Sequence, residues 1–349
     1  MSETPETPVS APRRRRRWGW IVSLFVLLLI AAATVAGGGF VMLHRAYTDP
    51  GRLASDTVVV IPPGSSGREI VGRLTDAGIS ADPRLARLAL RLFASERPLR
   101  AGEYAFPASI SLKDAIGKLQ DGDTVVRRVT IAEGLTTREA LVVLSQAEGL
   151  EGNTPEPAEV GEGSLLPETY HFSLGDTRSD VVARMQTSMR EALAQEWSAR
   201  DEGLPLSSAA EALILASIVE KETVVPSERP RVAAVFINRL KRGMRLQSDP
   251  TVAYGLSTDE GEFSGRLLNK HLETDHPYNT YTRDGLPPAP IANPGRESIA
   301  AVLHPAETKD LYFVADGTGG HAFARTLAEH NRNVAKWRRI QRERRNSAR

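Results

Sequence analysis

Apolar and polar positions divide the chain into stretches of different texture. Residues 21–43 are almost all apolar, and a helix over them reaches ~34 Å at about 1.5 Å per residue, enough to cross a hydrocarbon core of about 30 Å. Between residues 57 and 149 a β-branched or aromatic run, a turn and a short amphipathic helix recur three times: 58–61 leads to 69–74, 104–106 to 114–119, and 129–131 to 139–144. Their spacing is irregular, which argues against a solenoid. Residues 153–163, with Pro, Glu and Gly, read as a boundary loop. Beyond them helical patterns dominate, followed by two late strands over 311–315 and 321–324 and a closing helix over 326–344. The pattern predicts an N-terminal membrane helix, a small α+β module over 57–149 and a larger α+β domain over 160–345.

The most informative helix lies in the larger domain. Ser208 followed by Glu211 has the spacing of a capping box, so a helix should begin near Ala209. Leu213, Ile214, Leu215, Ala216, Ile218 and Val219 make it apolar almost all the way round, as in a helix buried against several neighbours. Glu220 and Glu222 close it. Two residues apart on a helix means a rotation of about 200°, so the two carboxylates cannot share one cleft, and one is expected to be functional and the other structural. Periodicity does not choose between them. A carboxyl set against apolar neighbours loses hydration, and its pKa can rise to about 6, which suits a general acid near neutral pH.

Charge refines the picture at the ends. Arg13 to Arg17 precede the apolar run and Trp18 and Trp20 flank its start, so the arginines are expected on the cytoplasmic side, with residues 1–20 as a cytoplasmic tail, 21–43 as a retained anchor and the bulk of the chain outside. A cleaved signal peptide is the rival reading; Thr34-Val35-Ala36 resembles a cleavage site, but the apolar run is longer than a usual signal core. Lys plus Arg number 44 against 43 Asp plus Glu, and without residues 1–17 the formal charge moves from +1 to −2, so nothing points to nucleic acid. The basic run 338–345 reads as a solvated helix end. The chain has no cysteine, which rules out disulfides and thiolate metal sites.

Glu220-Lys221-Glu222-Thr223, Glu228-Arg229-Pro230, Gln247-Ser248-Asp249-Pro250, Tyr278-Asn279-Thr280-Tyr281, Gly285-Leu286-Pro287-Pro288, Asn293-Pro294-Gly295 and Gly320-His321 follow one another in the order of the MltG, or YceG-like, endolytic peptidoglycan transglycosylase family, which this chain closely resembles over roughly residues 163–331. Residues 57–149 resemble, more loosely, that family's LysM-like module, for which glycan binding and a purely structural spacer are both open. The resemblance implies an α+β YceG-like catalytic domain, Glu222 as the catalytic residue, no cofactor and no metal. It implies cleavage of the β-1,4 bond between N-acetylmuramic acid and N-acetylglucosamine without water, leaving 1,6-anhydro ends and terminating strand elongation. Peptidoglycan glycan strands and the membrane are then the expected partners, with peptidoglycan synthases as candidates, and the inner membrane the expected location, with the catalytic domain periplasmic. One departure is visible: Leu166 stands where the family carries an aromatic residue.

Such a reaction needs one carboxyl group, acting as acid and then as base. Hydrolysis would usually need a second; Asp249 is the nearest candidate, although Asp before Pro commonly starts a turn. Gln247, Ser248, Tyr254, Asn279, Tyr281 and His321 are the candidate substrate-binding residues, neutral donors and rings suited to sugar hydroxyl and amide groups. Each has a structural alternative: a core aromatic for the tyrosines, a loop-fixing amide for Asn279, a histidine beside a glycine turn for His321. Two other functions compete. One is a non-catalytic glycan-binding scaffold. The other is a pyridoxal-phosphate lyase using Lys221, which the membrane anchor makes a poor fit.

Overall fold

The computed structural model describes residues 15–94, 97–257, 263 and 265–347. The expected tail up to residue 14 lies outside the described residues. Helix α1, Arg15–Thr48, contains the apolar run and, over Gly19–Thr48, is long and apolar enough to cross a membrane. It continues five residues past the expected end at Leu43. The end of the helix is amphipathic: Leu43 and, in the extension, Tyr47 are buried, and the Tyr47 ring lies 5.6 Å from that of Phe93.

The chain divides into two compact units, Met1–Val125 and Val126–Arg349. In the first, β1 (Thr57–Ile61) pairs antiparallel with β2 (Gly102–Phe106), with Val59 opposite Tyr104. Between them run α2 (Gly67–Asp76) and α3 (Pro83–Phe93), and α4 (Leu112–Asp121) follows. Alternation along β1 sends Val59 and Ile61 inward and leaves Val58 and Val60 exposed. Ile61, Leu74, Tyr104, Phe106, Ile116 and Leu119 form the core. Ser66 caps α2 in a complete capping box with Glu69.

The third sequence phrase does not join this unit. Its strand β3 (Arg127–Thr130) pairs with β4 (Thr169–Phe172), 39 residues downstream between Thr130 and Thr169, and the helix that follows it, α5 (Thr137–Ser145), packs in the second unit. The division expected near residues 149–160 therefore falls inside the second unit, because the strand finds its partner across the supposed boundary loop. That loop contains α6 (Pro157–Val160), with Val160 buried.

The rest of the second unit is helical: α7 (Arg178–Ala199), α8 (Ala209–Glu222), α9 (Arg229–Lys241), α10 (Asp249–Leu256), α11 (Asn269–Glu273) and α12 (Arg296–Leu303), then the hairpin of β5 (Tyr312–Ala315) and β6 (His321–Ala324), then α13 (Leu327–Ser347). Helix α8 starts where expected, and Ser208 accepts the Glu211 N–H, but Glu211 reaches one residue further back, to the N–H of Ser207, so only half of the capping box forms. Leu215, Ile218 and Val219 of α8 pack with Val232 and Phe236 of α9 and Ile299 and Val302 of α12. Each such side chain contributes about 1.5–3 kcal/mol when fully buried. This packing holds the end of α8 against the loops that follow α9.

Candidate active site

Glu220 and Glu222 diverge as helix geometry requires. Glu220 is buried and turns toward Arg229: its Oε1 accepts from that guanidinium at 3.2 Å and its Oε2 accepts the Gly295 N–H at 2.9 Å. Arg229 also binds Glu133 and Glu297, so one guanidinium ties the loop after β3, the end of α8 and the start of α12. Both Glu220 oxygens are thereby engaged within the fold.

Glu222, on the other side, accepts a 2.5 Å hydrogen bond from Ser248 Oγ. Burial among packed neighbours pushes its carboxyl up to about 7; the Ser248 hydrogen bond opposes the shift, the Asp249 charge adds to it, and the charges of His321 and Arg239 oppose it. Its place at the C-terminal end of α8 acts in the same direction as burial, since the helix dipole disfavours a negative charge there.

Ser248 is buried and set by its backbone. Its N–H donates to Thr280 Oγ1, and the preceding Gln247 adopts φ +51, an uncommon left-handed conformation for a non-glycine residue, with its N–H donating to the Thr280 carbonyl. Gln247 itself is exposed. Asp249 is the first residue of α10 and not a turn residue: its carboxylate sits at a helix N-terminus, where negative charge is favoured, and accepts from the Tyr281 hydroxyl at 2.6 Å. Burial and that carboxylate together raise the Tyr281 phenol well above its ordinary value.

Beside this cluster Lys221, Asp249, Pro250, Tyr254, Phe263 and Ile291 line a cavity of about 340 Å³. Tyr254 is held by its hydroxyl on Glu162 at 3.2 Å and by its ring, 4.8 Å from that of Tyr278. Glu162 also accepts the Thr137 N–H, and burial raises its carboxyl. His321, at the start of β6, lies close enough for its charge to act on Glu222.

Of the expected substrate residues, Ser248 bonds Glu222 directly, His321 and Tyr281 interact with it electrostatically, Tyr254 lines the adjoining cavity, and Gln247 is exposed next to Ser248 in the chain. Asn279 does not belong with them. It is 2% exposed, its amide donates to the carbonyls of His271, Leu272 and Thr274, and its oxygen accepts the Tyr281 N–H, so its hydrogen-bonding capacity is used within the loop. Leu166 is fully buried in a core cluster with α7, α8 and α12 side chains and has no exposed surface.

The sequence motifs contain Glu228 and Arg229 without giving them a role, and Glu162 and Arg239 do not stand out as candidates. Arg239 is buried in α9, donating through Nε to the Leu311 carbonyl and through one Nη to that of Leu246, which ties the Ser248 loop to the strand hairpin. Burial lowers its pKa. The available signal was a lone arginine following the apolar run 232–237, a charge that has to be matched when its helix is buried.

A model of the YceG-like family matches residues 59–336. The endolytic murein transglycosylase of Bacillus subtilis is 39% identical over 176 residues, covering 50% of this chain and 48% of that protein. The protein of the same name from Streptococcus pneumoniae is 29% identical over 322 residues, covering 80% of this chain and 58% of that one. The chain thus spans about half the length of the curated relatives it matches. A crystal structure of a putative yceG-like protein from Listeria monocytogenes is 29% identical, covers 80% of this chain and 99% of that one, and superposes with a TM-score of 0.47.

Proposed function

The chain belongs to the YceG-like family, and on that footing we propose that it is an endolytic murein transglycosylase with Glu222 as its acid and base. The observation that carries this reading is the Glu222 carboxyl, raised to about 7 at the end of a buried helix, so that both protonation states are accessible near neutral pH.

In the reaction, protonated Glu222 gives its proton to the oxygen of the β-1,4 bond between N-acetylmuramic acid and N-acetylglucosamine as that oxygen leaves C1 of the muramic acid with the electron pair of the broken bond. The resulting carboxylate, supported by the Ser248 hydroxyl, takes the proton of the muramic acid C6 hydroxyl as O6 closes on C1. The proton taken up equals the proton given, and no water enters. Intramolecular closure has an effective concentration that can reach about 10⁵ M or more, which favours it over attack by water. Ser248, Tyr281, His321, Tyr254 and Gln247 are the proposed glycan contacts.

The anchor and the arginines before it support an inner-membrane protein with a cytoplasmic N-terminus and a periplasmic catalytic unit acting on nascent strands beside the synthases. Residues 57–149 are the proposed LysM-like module, as a glycan binder or a structural spacer, and of these 57–125 lie in the first unit. A reporter fused after Arg349 should be active only outside the cytoplasm.

The decisive test is digestion of purified glycan strands in ¹⁸O-labelled water, read by mass spectrometry. Unlabelled 1,6-anhydro ends are expected. Labelled muramic acid reducing ends would identify a hydrolase and make Asp249 the candidate second carboxylate.

A further inference from the structure

Glu228 takes no part in the proton transfers above, yet both its oxygens contact His321, and Oε2 also accepts from Thr223 Oγ1 at 3.5 Å. Oε1 accepts the His321 backbone N–H at 2.8 Å, and Oε2 lies 2.7 Å from His321 Nδ1. The two side chains are 19% and 16% exposed, so water competes little for either contact. The neighbouring position is shaped to match: a Cβ on Gly320 would stand 2.5 Å from Glu228 Oε1, so a side chain there would displace the carboxylate. Phe313 meets the imidazole edge-on at 5.2 Å between ring centres and Phe323 lies at 6.3 Å, which leaves the ring little freedom to turn over. A carboxylate has no hydrogen to give, so Nδ1 carries the proton in this pair and Nε2 of the neutral ring is a bare acceptor.

We infer that Glu228 is a positioning residue that locks His321 as the Nδ1–H tautomer, so that Nε2 accepts a hydrogen bond from a hydroxyl or acetamido N–H of the glycan bound beside Glu222. The inference rests on the transglycosylase reading for the identity of the ligand, but not for the state of the ring. The same arrangement, in which a second group orients a histidine by binding its other nitrogen, is how proteins fix imidazole ligands generally. Rotated or in the other tautomer, His321 would offer Nε2–H and select a sugar carbonyl instead.

The test uses the full chain in detergent, labelled with ¹⁵N-histidine, at a pH where the ring is neutral. In the wild type the His321 Nδ1 resonance should be of the protonated type and Nε2 of the bare type. Glu228→Gln should invert the pair, because the introduced amide donates to Nδ1 and moves the ring hydrogen to Nε2. Gly320→Ala, which pushes the carboxylate away without removing it, should leave a mixture of tautomers. Glycan oligosaccharide added to the Glu222→Gln chain should move Nε2, and Glu228→Gln should raise KM about tenfold with a much smaller change in kcat, as expected for loss of a binding contact. An Nε2–H ring in the wild type, or an Nε2 resonance that stays put while glycan binds, would overturn the inference. If Nε2 moves with glycan but the wild type forms no anhydro product, the positioning role stands and the transglycosylase reading fails.

Discussion

Ser248 stands at the N-cap of α10 but its hydroxyl makes no bond to that helix; it donates to Glu222 Oε1 at 2.5 Å. A side chain that would ordinarily satisfy its own helix is given over to the carboxyl 26 residues earlier. Stability gives way locally to a contact that favours the ionised form of Glu222.

Ser248→Ala should therefore cost less stability than the usual loss of about 1 kcal/mol for removing an N-cap serine, since the cap is absent already. Its effect should appear in the pH profile. Without the donated hydrogen bond the Glu222 pKa moves above about 7, and the alkaline limb of kcat/KM moves with it. A limb that shifted to lower pH would contradict the assigned contact.

For the wild type, activity that depends on protonated Glu222 should decline about tenfold per pH unit above about 7. Stability has its own pH dependence. Folded Glu222 keeps its proton up to about 7, whereas the unfolded chain releases it near 4.5, so the folded state binds the extra proton across that window. Relative to Glu222→Gln, the wild type should lose stability as pH rises from about 4.5 to about 7, with no further change above, in unfolding curves of the two chains run side by side.

Glu222→Gln should abolish cleavage and, below about pH 4.5 where Glu222 is protonated in the folded chain, leave the melting temperature nearly unchanged, because the amide keeps the shape but cannot supply a proton. Glu220→Gln should do the reverse. It weakens a buried bond to Arg229 and the bond from Gly295, at a cost of about 1.5–3 kcal/mol for hydrogen bonds to a charged group, while Glu133 and Glu297 continue to hold Arg229. Activity per folded molecule should stay within about tenfold of the wild type. Paired melting and turnover measurements separate the two glutamates.

Leu166→Ala should destabilise by about 2–5 kcal/mol through the cavity it opens beside α7 and α8. Leu166→Trp, which restores an aromatic residue, should also destabilise, by about 1–3 kcal/mol, because the site is filled. Neither change should alter KM once the folded fraction is measured by denaturant titration, as Leu166 does not face the proposed glycan.

Local order along the chain was enough to determine the apolar span, the start of α8 at Ala209 and the late hairpin, because each depends on residues within a few positions of one another: a run of side chains, a serine before its helix, two short strands around a glycine turn. It also limited the two glutamates to opposite sides of one helix, since 3.6 residues per turn leave no other choice. What it could not decide were partners far apart in sequence. Strand β3 has the same texture as β1 and β2, and only the folded chain sends it to β4. Asn279 and Tyr281 are both polar loop residues with the same local prospects, but one amide lies among three carbonyls and the other side chain reaches Asp249. Glu228 and His321, 93 residues apart, meet because α9 and the β5–β6 hairpin pack on the same core, and the contact that sets the imidazole exists only once that core has formed.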